Sequence, residues 1–192
     1  MNLTLTPMAK TDASCVRSLY QSAFPAHERR PYWFLARRAK KANGCARILV
    51  ARDGGDFVGF AYLIERADLH YLFYFAIAPE KRGMGYGSAI LRLLREEARG
   101  GILFLAREQL DENADNYAER VRRRAFYLRA GFEDLSCRMR EASDVYDVMS
   151  MGGDVAPEAF RQLMEAWCGG PLRRFWHMEL RTDAPQNKEK TG

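Results

Sequence analysis

Three glycines within five residues, Gly83, Gly85 and Gly87, follow an apolar run ending Ala76-Ile77-Ala78-Pro79 and precede an apolar stripe at Ile90, Leu91, Leu94 and Ala98. A strand, a glycine turn and a helix N-terminus in that order bring several backbone N–H groups to one point, under the positive end of the helix dipole. Such a point binds phosphate. A Cβ would hold the anion away from those groups, and the turn itself asks for positive φ. Lys81 and Arg82 add positive charge at its entrance. Two well-known phosphate loops fit poorly. G-x-x-x-x-G-K-[ST] fails because no Lys-Ser or Lys-Thr follows a glycine here, and G-x-G-x-x-G fails because Ser88, Ala89 and Ile90 stand where the last glycine would fall. The pattern that remains is R-x-x-G-x-G, met by Arg82-Gly83-Met84-Gly85-Tyr86-Gly87.

The elements that must carry this loop can be read from periodicity. Leu3 to Thr6 alternates as a short strand, and Val16, Leu19, Tyr20 and Ala23 recur at helical spacing behind a cap at Thr11 or Asp12. A second helix is expected within Tyr32–Lys41. Two β-rich runs, Arg47–Arg52 and Asp56–Ile64, flank a hairpin turn at Asp53-Gly54-Gly55. The run His70–Ala78 is apolar almost throughout, which predicts a central strand covered on both faces. An amphipathic helix follows the glycines, then a strand at Ile102–Ala106 and a helix from about Ala118 to Ala130 with Val121, Ala125 and Leu128 as its buried stripe. Two strands, Phe132–Arg140 and Val145–Met151, complete a mixed α/β domain expected to span 1–152. Phe160, Leu163, Met164 and Trp167 predict a helix docked on that domain as part of an extension over 153–181, and 182–192 is polar enough for a flexible tail.

Composition narrows the possibilities. At 192 residues and 47% hydrophobic content the chain can bury one core but not two independent ones. No apolar run approaches the roughly 18 residues that span a bilayer, and the N-terminus lacks the apolar centre of a signal peptide, so a soluble, cytoplasmic protein without membrane contact is expected. Cys15, Cys45, Cys137 and Cys168 are too scattered for a metal site, which predicts reduced thiols and no metal. The net charge of +5 suits a polyanionic ligand, with arginines clustered at Arg29, Arg30, Arg37 and Arg38 and again at Arg120, Arg122, Arg123 and Arg124.

The R-x-x-G-x-G segment, after its apolar strand, resembles the GNAT superfamily of N-acetyltransferases, in which that loop holds the pyrophosphate of acetyl-coenzyme A. Ala125-Phe-Tyr-Leu-Arg-Ala-Gly-Phe132 is similar to the family's A-x-x-F-Y-x-x-x-G-F helix ending, with the alanine shifted, and the element order from Leu3 to Met151 resembles the family's as well. Where many members carry Asn and Ala seven and four residues before the tyrosine, this chain has Arg120 and Arg123. The resemblance implies an α+β fold: a mixed, mostly antiparallel sheet of six to seven strands flanked by helices and splayed at the cofactor site. It also implies acetyl transfer from acetyl-CoA to a primary amine of a small molecule or peptide. The implied cofactor contacts are backbone groups of Ala76, Ile77 and Ala78 on the splayed strand and of Arg82, Gly83, Met84, Gly85, Tyr86, Gly87 and Ser88 in the loop. Phe75, Ile77 and Leu103 would form an apolar wall about the thioester.

The chemistry then sets requirements. An amine of pKa about 10.4 is neutral in roughly one molecule per 2,500 at pH 7, an obstacle of about 4 to 5 kcal/mol that a general base relieves. The departing thiolate, of pKa about 8.5, needs a proton, which a phenol of pKa about 10 can supply. Tyr127 is the candidate acid; helical spacing places Arg120, Arg123 or Arg124 on its face. Glu108, at a strand end beside the implied cleft, and Glu28, in the loop that covers the acceptor site in this fold, are equal candidates for the base, with His27 behind them. The rival readings are a coenzyme A binding module without catalysis, which would not require Tyr127, and an arginine-rich nucleic-acid binder, which would bind polynucleotide and not coenzyme A; no nucleic-acid partner is expected. The C-terminal segment with Trp167, Phe175 and Trp176 could cover its own sheet or a neighbour's, leaving room for a homodimer.

Overall fold

The computed structural model describes residues 2–40, 44–169 and 178–182. Its elements in chain order are β1 (Leu3–Pro7), α1 (Ala13–Ala23), α2 (Tyr32–Ala39), β2 (Ala46–Asp53), β3 (Asp56–Arg66), β4 (Leu69–Ile77), α3 (Tyr86–Glu97), β5 (Ile102–Glu108), α4 (Tyr117–Arg129), β6 (Glu133–Glu141), β7 (Asp144–Met151), α5 (Pro157–Cys168) and β8 (Met178–Thr182). The strands form one sheet in the order β1-β2-β3-β4-β5-β7-β6-β8. Every neighbouring pair is antiparallel except β4 with β5. The expected six to seven strands are therefore eight: β8 pairs along β6 from Cys137 to Glu141 and runs through Thr182. Residues 170–177, with Phe175 and Trp176, and the expected tail beyond Thr182 lie outside the described residues.

The core lies in two layers, one on each face of the sheet. On one face α3 buries Ile90, Leu91 and Leu94 against Val58, Leu63, Leu72, Leu103 and Leu105. On the other, α1, α2 and α5 bury Val16, Leu19, Phe34, Phe160, Leu163 and Trp167 against Tyr62, Tyr71 and Phe104. Trp167 is fully buried, and its indole N–H donates to the Tyr62 hydroxyl at 3.0 Å, so its one polar atom is satisfied inside the core. The α5 face expected from spacing is the face that docks.

The sheet forks at its centre. β4 and β5 pair only at Leu69↔Ile102, His70↔Leu103 and Tyr71↔Phe104, the last pair with rings stacked at 4.7 Å. Beyond Tyr71, β4 continues along β3 to Ile77 while β5 continues along β7 to Glu108. The register supplies a cause: Tyr62 faces Tyr74 but Leu63 faces Leu72, so Phe73 is an extra residue on β4. A bulge of this kind bends its strand and increases local twist, and it sits where β4 leaves β5.

One expected stripe is wrong. Val121 and Leu128 on α4 are each 39% exposed, and no residue of that helix is fully buried. Phe126, Tyr127 and Ala130 make its inward contacts instead. The α4 helix borders the fork, so the face it turns inward is the face a cleft needs, with aromatic and charged groups in place of aliphatic ones.

Candidate active site

The fork opens into a cleft of about 1080 Å³, bounded by the glycine loop, α4, the α1–α2 loop and the β6–β7 hairpin. At one end, Gly83 and Gly85 have φ of +74° and +82°, and Gly85 is the residue from which α3 starts. Lys81 and Arg82 donate their N–H groups to Ala78 and Pro79, and Ala89 donates to Gly85. Among the described residues none of the N–H groups from Gly83 to Ser88 is donated to another group of the protein. A Cβ at Gly83 or Gly85 would meet nothing within 4 Å, and both residues line the open cleft. This is the arrangement a diphosphate requires.

The side chains around the loop serve to hold it. The Tyr86 hydroxyl donates to Asp53 Oδ2 at 2.6 Å, and Lys81 Nζ meets Asp56 at 3.1 Å, so both ends of the β2–β3 hairpin brace the loop. Arg82 Nε donates to the Ile77 carbonyl at 3.1 Å, tying the loop back onto β4. Met84 points outward at 59% exposure and offers only its N–H. Gly87 answers a different need: a Cβ there would stand 3.0 Å from the Phe126 ring, so the third glycine lets α4 approach α3.

On β4, the expectation that backbone from Ala76 to Ala78 faces the fork narrows. Ala78 N–H donates to Val58 at 2.9 Å, and Ala76 is paired with Phe60. Polar backbone groups alternate sides along a strand, so Ile77, whose carbonyl meets Arg82, presents its N–H to the gap, as does Phe75. Leu103, expected in the apolar wall, is wholly buried under α3; Leu105 and Ala106 line the fork with Phe75 and Ile77.

Tyr127 lies on the cleft wall, its ring against Phe126 and edge-on to Phe132 at 5.5 Å. Its hydroxyl has no hydrogen-bond partner among the described residues. Burial pushes the phenol up to about 12, with the nearby Arg123 acting in the opposite direction. The group is thus protonated throughout the physiological range.

The two glutamates come together from distant parts of the chain and differ sharply. Both oxygens of Glu108 are engaged: Oε1 by Asn116 and Arg120 at 3.1 Å each, Oε2 by Arg123 at 2.8 Å. Glu108 therefore organises the arginine face of α4. The Glu28 carboxylate accepts no hydrogen bond among the described residues. Burial, reinforced by the Glu108 and Asp144 carboxylates and opposed by His27 and Arg123, holds it above the ordinary glutamate range. His27 is 74% exposed and 3.9 Å from Glu28. The expected cationic rim is neutralised: Arg123 also pairs with Glu119, Arg124 turns away to Asp134, and Arg107 pairs with Asp134 and Asp147.

Three groups escaped the sequence reading. The Tyr74 hydroxyl donates to the Glu28 carbonyl at 2.8 Å and accepts the Arg30 N–H at 3.2 Å, while Tyr20 donates to the Arg30 carbonyl at 2.9 Å. Together they fix the α1–α2 loop over the fork. Tyr146 on β7 also lines the cleft, its phenol pushed up to about 12 by burial and the surrounding carboxylates. A tyrosine in an apolar strand reads as core, and nothing local marks it as a strut.

Among the described residues there is no cluster of His, Cys, Asp and Glu able to hold a metal, and no helix long and apolar enough to cross a membrane. No curated protein matches the sequence. Solved structures share its fold. A protein from Bacteroides thetaiotaomicron assigned to the GNAT family of acetyltransferases is 22% identical, covering 86% of this chain and 96% of its own, with a TM-score of 0.68. The ribosomal-protein-S18-alanine N-acetyltransferase from Escherichia coli is also 22% identical over 81% of this chain and 97% of its own, at 0.58. An aminoglycoside 6'-N-acetyltransferase complexed with coenzyme A is 15% identical over 77% and 96%, at 0.59. Residues 44–134, from the approach to β2 through the glycine loop to the start of β6, match the acetyltransferase (GNAT) domain family, and the forked sheet is the fold these structures share.

Proposed function

We propose that the protein transfers an acetyl group from acetyl-CoA directly to an amine, with Glu28 receiving the amine's proton and Tyr127 supplying one to the departing thiolate. The observation that carries this reading is the pair of unengaged groups in one cleft: a carboxylate raised by burial and a phenol without a partner, beside a loop whose N–H groups are undonated.

The residues fit the donor. Gly83 to Ser88 would receive its diphosphate, and the β4 edge from Leu72 to Ile77, unpaired on the β5 side, would receive its extended arm as a strand is received. The Ile77 N–H is placed to stabilise charge on the thioester oxygen. Glu28, whose carboxyl burial holds above the ordinary glutamate range, takes a proton from the ammonium form, which is the abundant form of the substrate. Tyr127 at about 12 is a weaker acid than expected from sequence. Against a thiolate near 8.5 the mismatch is about 3.5 units, or roughly 5 kcal/mol, so its proton moves as the C–S bond breaks and not before.

Free thiol released from acetyl-CoA in the presence of an amine tests the reading. In Tyr127→Phe, kcat should fall about 100- to 1,000-fold with acetyl-CoA affinity within about twofold of wild type. Equal loss of affinity and turnover would make Tyr127 a binding group only.

A further inference from the structure

The two walls of the acceptor end are tied to each other. Arg30, at the end of the α1–α2 loop, forms an ion pair with Glu141, the last residue of β6, and the two side chains are only 14% and 23% exposed. Both residues line the same cleft as Glu28 and Tyr146. Neither wall is slack. The Arg30 backbone is held at both its N–H and its carbonyl by Tyr74 and Tyr20. On the other side, Glu141 leads into a tight hairpin whose Ala142 sits at φ +51°, a conformation alanine adopts only when its surroundings impose it.

From this geometry we infer that the Arg30–Glu141 pair closes the acceptor end into a blind pocket, so that the acceptor is a small free-standing amine and not an amine carried on a polypeptide. The inference rests on the acetyl-transfer reading and narrows it. A lysine or N-terminal amine on a peptide brings a chain that must leave between the α1–α2 loop and the β6–β7 hairpin, and the ion pair stands between them. Admitting that chain requires separating a largely desolvated guanidinium from its carboxylate, which leaves both uncompensated. A short amine needs only the space beside Glu28, and its cation faces carboxylates on arrival. The pair thus acts through exclusion, the repulsive half of specificity.

The test compares kcat/KM for butylamine and 1,4-diaminobutane with that for short peptides bearing a free N-terminal or lysine amine. Wild type should favour the small amines by about 100-fold or more, and Glu141→Ala should reduce that ratio at least about tenfold by gaining activity on peptides. Arg30→Gln repeats the test should Glu141→Ala fail to fold. The ratio separates specificity from stability, since a merely loosened protein loses activity on both classes alike. Wild type acetylating peptides as well as small amines, or a ratio unmoved in the folded variants, overturns the proposal. Stabilisation by acetyl-CoA with no thiol release from any amine overturns the reaction itself, and the proposal with it.

Discussion

The two ends of the cleft, proposed to take the donor and the acceptor, are built on opposite principles. The donor end is backbone: contiguous N–H groups from Gly83 to Ser88, freed by two glycines at positive φ and braced by one hairpin. The acceptor end is side chains gathered from Glu28, Arg30, Tyr74, Glu108, Glu141 and Tyr146, held by hydrogen bonds and ion pairs that cross the fold. The first depends on a conformation that a short sequence specifies. The second depends on where β4, β5 and the β6–β7 hairpin carry their residues.

That contrast can be broken at either end. The largest effect is expected at Gly85→Val, which forces a β-branched residue to φ +82° and so distorts the turn that presents the loop's donors. Calorimetric titration should show acetyl-CoA affinity reduced about 100-fold or more, while circular dichroism remains that of a folded protein. If affinity is kept, the loop does not bind the donor. A smaller effect belongs to Tyr74→Phe, which removes the hydroxyl from both the Glu28 carbonyl and the Arg30 N–H. Steady-state kinetics should show about a tenfold loss in kcat/KM for the amine and no change in KM for acetyl-CoA, since only the acceptor loop loosens. Smallest is Asp53→Asn: Tyr86 keeps an acceptor, and acetyl-CoA affinity should change by no more than about threefold.

The same division explains what the sequence disclosed. The glycine loop, the hairpin at Asp53 to Asp56 and the docked face of α5 are local patterns, and the structure places them as their spacing indicates. The stripe on α4 misled because Val121, Ala125 and Leu128 carry the periodicity of a core-facing helix, yet the space that helix faces is a cleft. The two glutamates looked alike because their difference lies in partners: Asn116, Arg120 and Arg123 occupy one, and the other is merely buried. The bulge at Phe73 that opens the fork leaves no mark in an apolar run, and Tyr20 and Tyr74 show their purpose only once the α1–α2 loop is folded over them.

The central claim is that Glu28 removes the acceptor's proton, and the pH dependence of kcat/KM for a simple amine tests it most directly. Because burial raises the Glu28 carboxyl above its ordinary 4.5, its basic form is lost as pH falls through that raised value. Wild type should therefore show a plateau at neutral pH with an acid limb displaced upward from 4.5. Glu28→Gln depends on amine that is already neutral, so its profile should climb about tenfold per pH unit toward the amine's own pKa near 10. The wild-type plateau and limb persisting in Glu28→Gln would contradict the account.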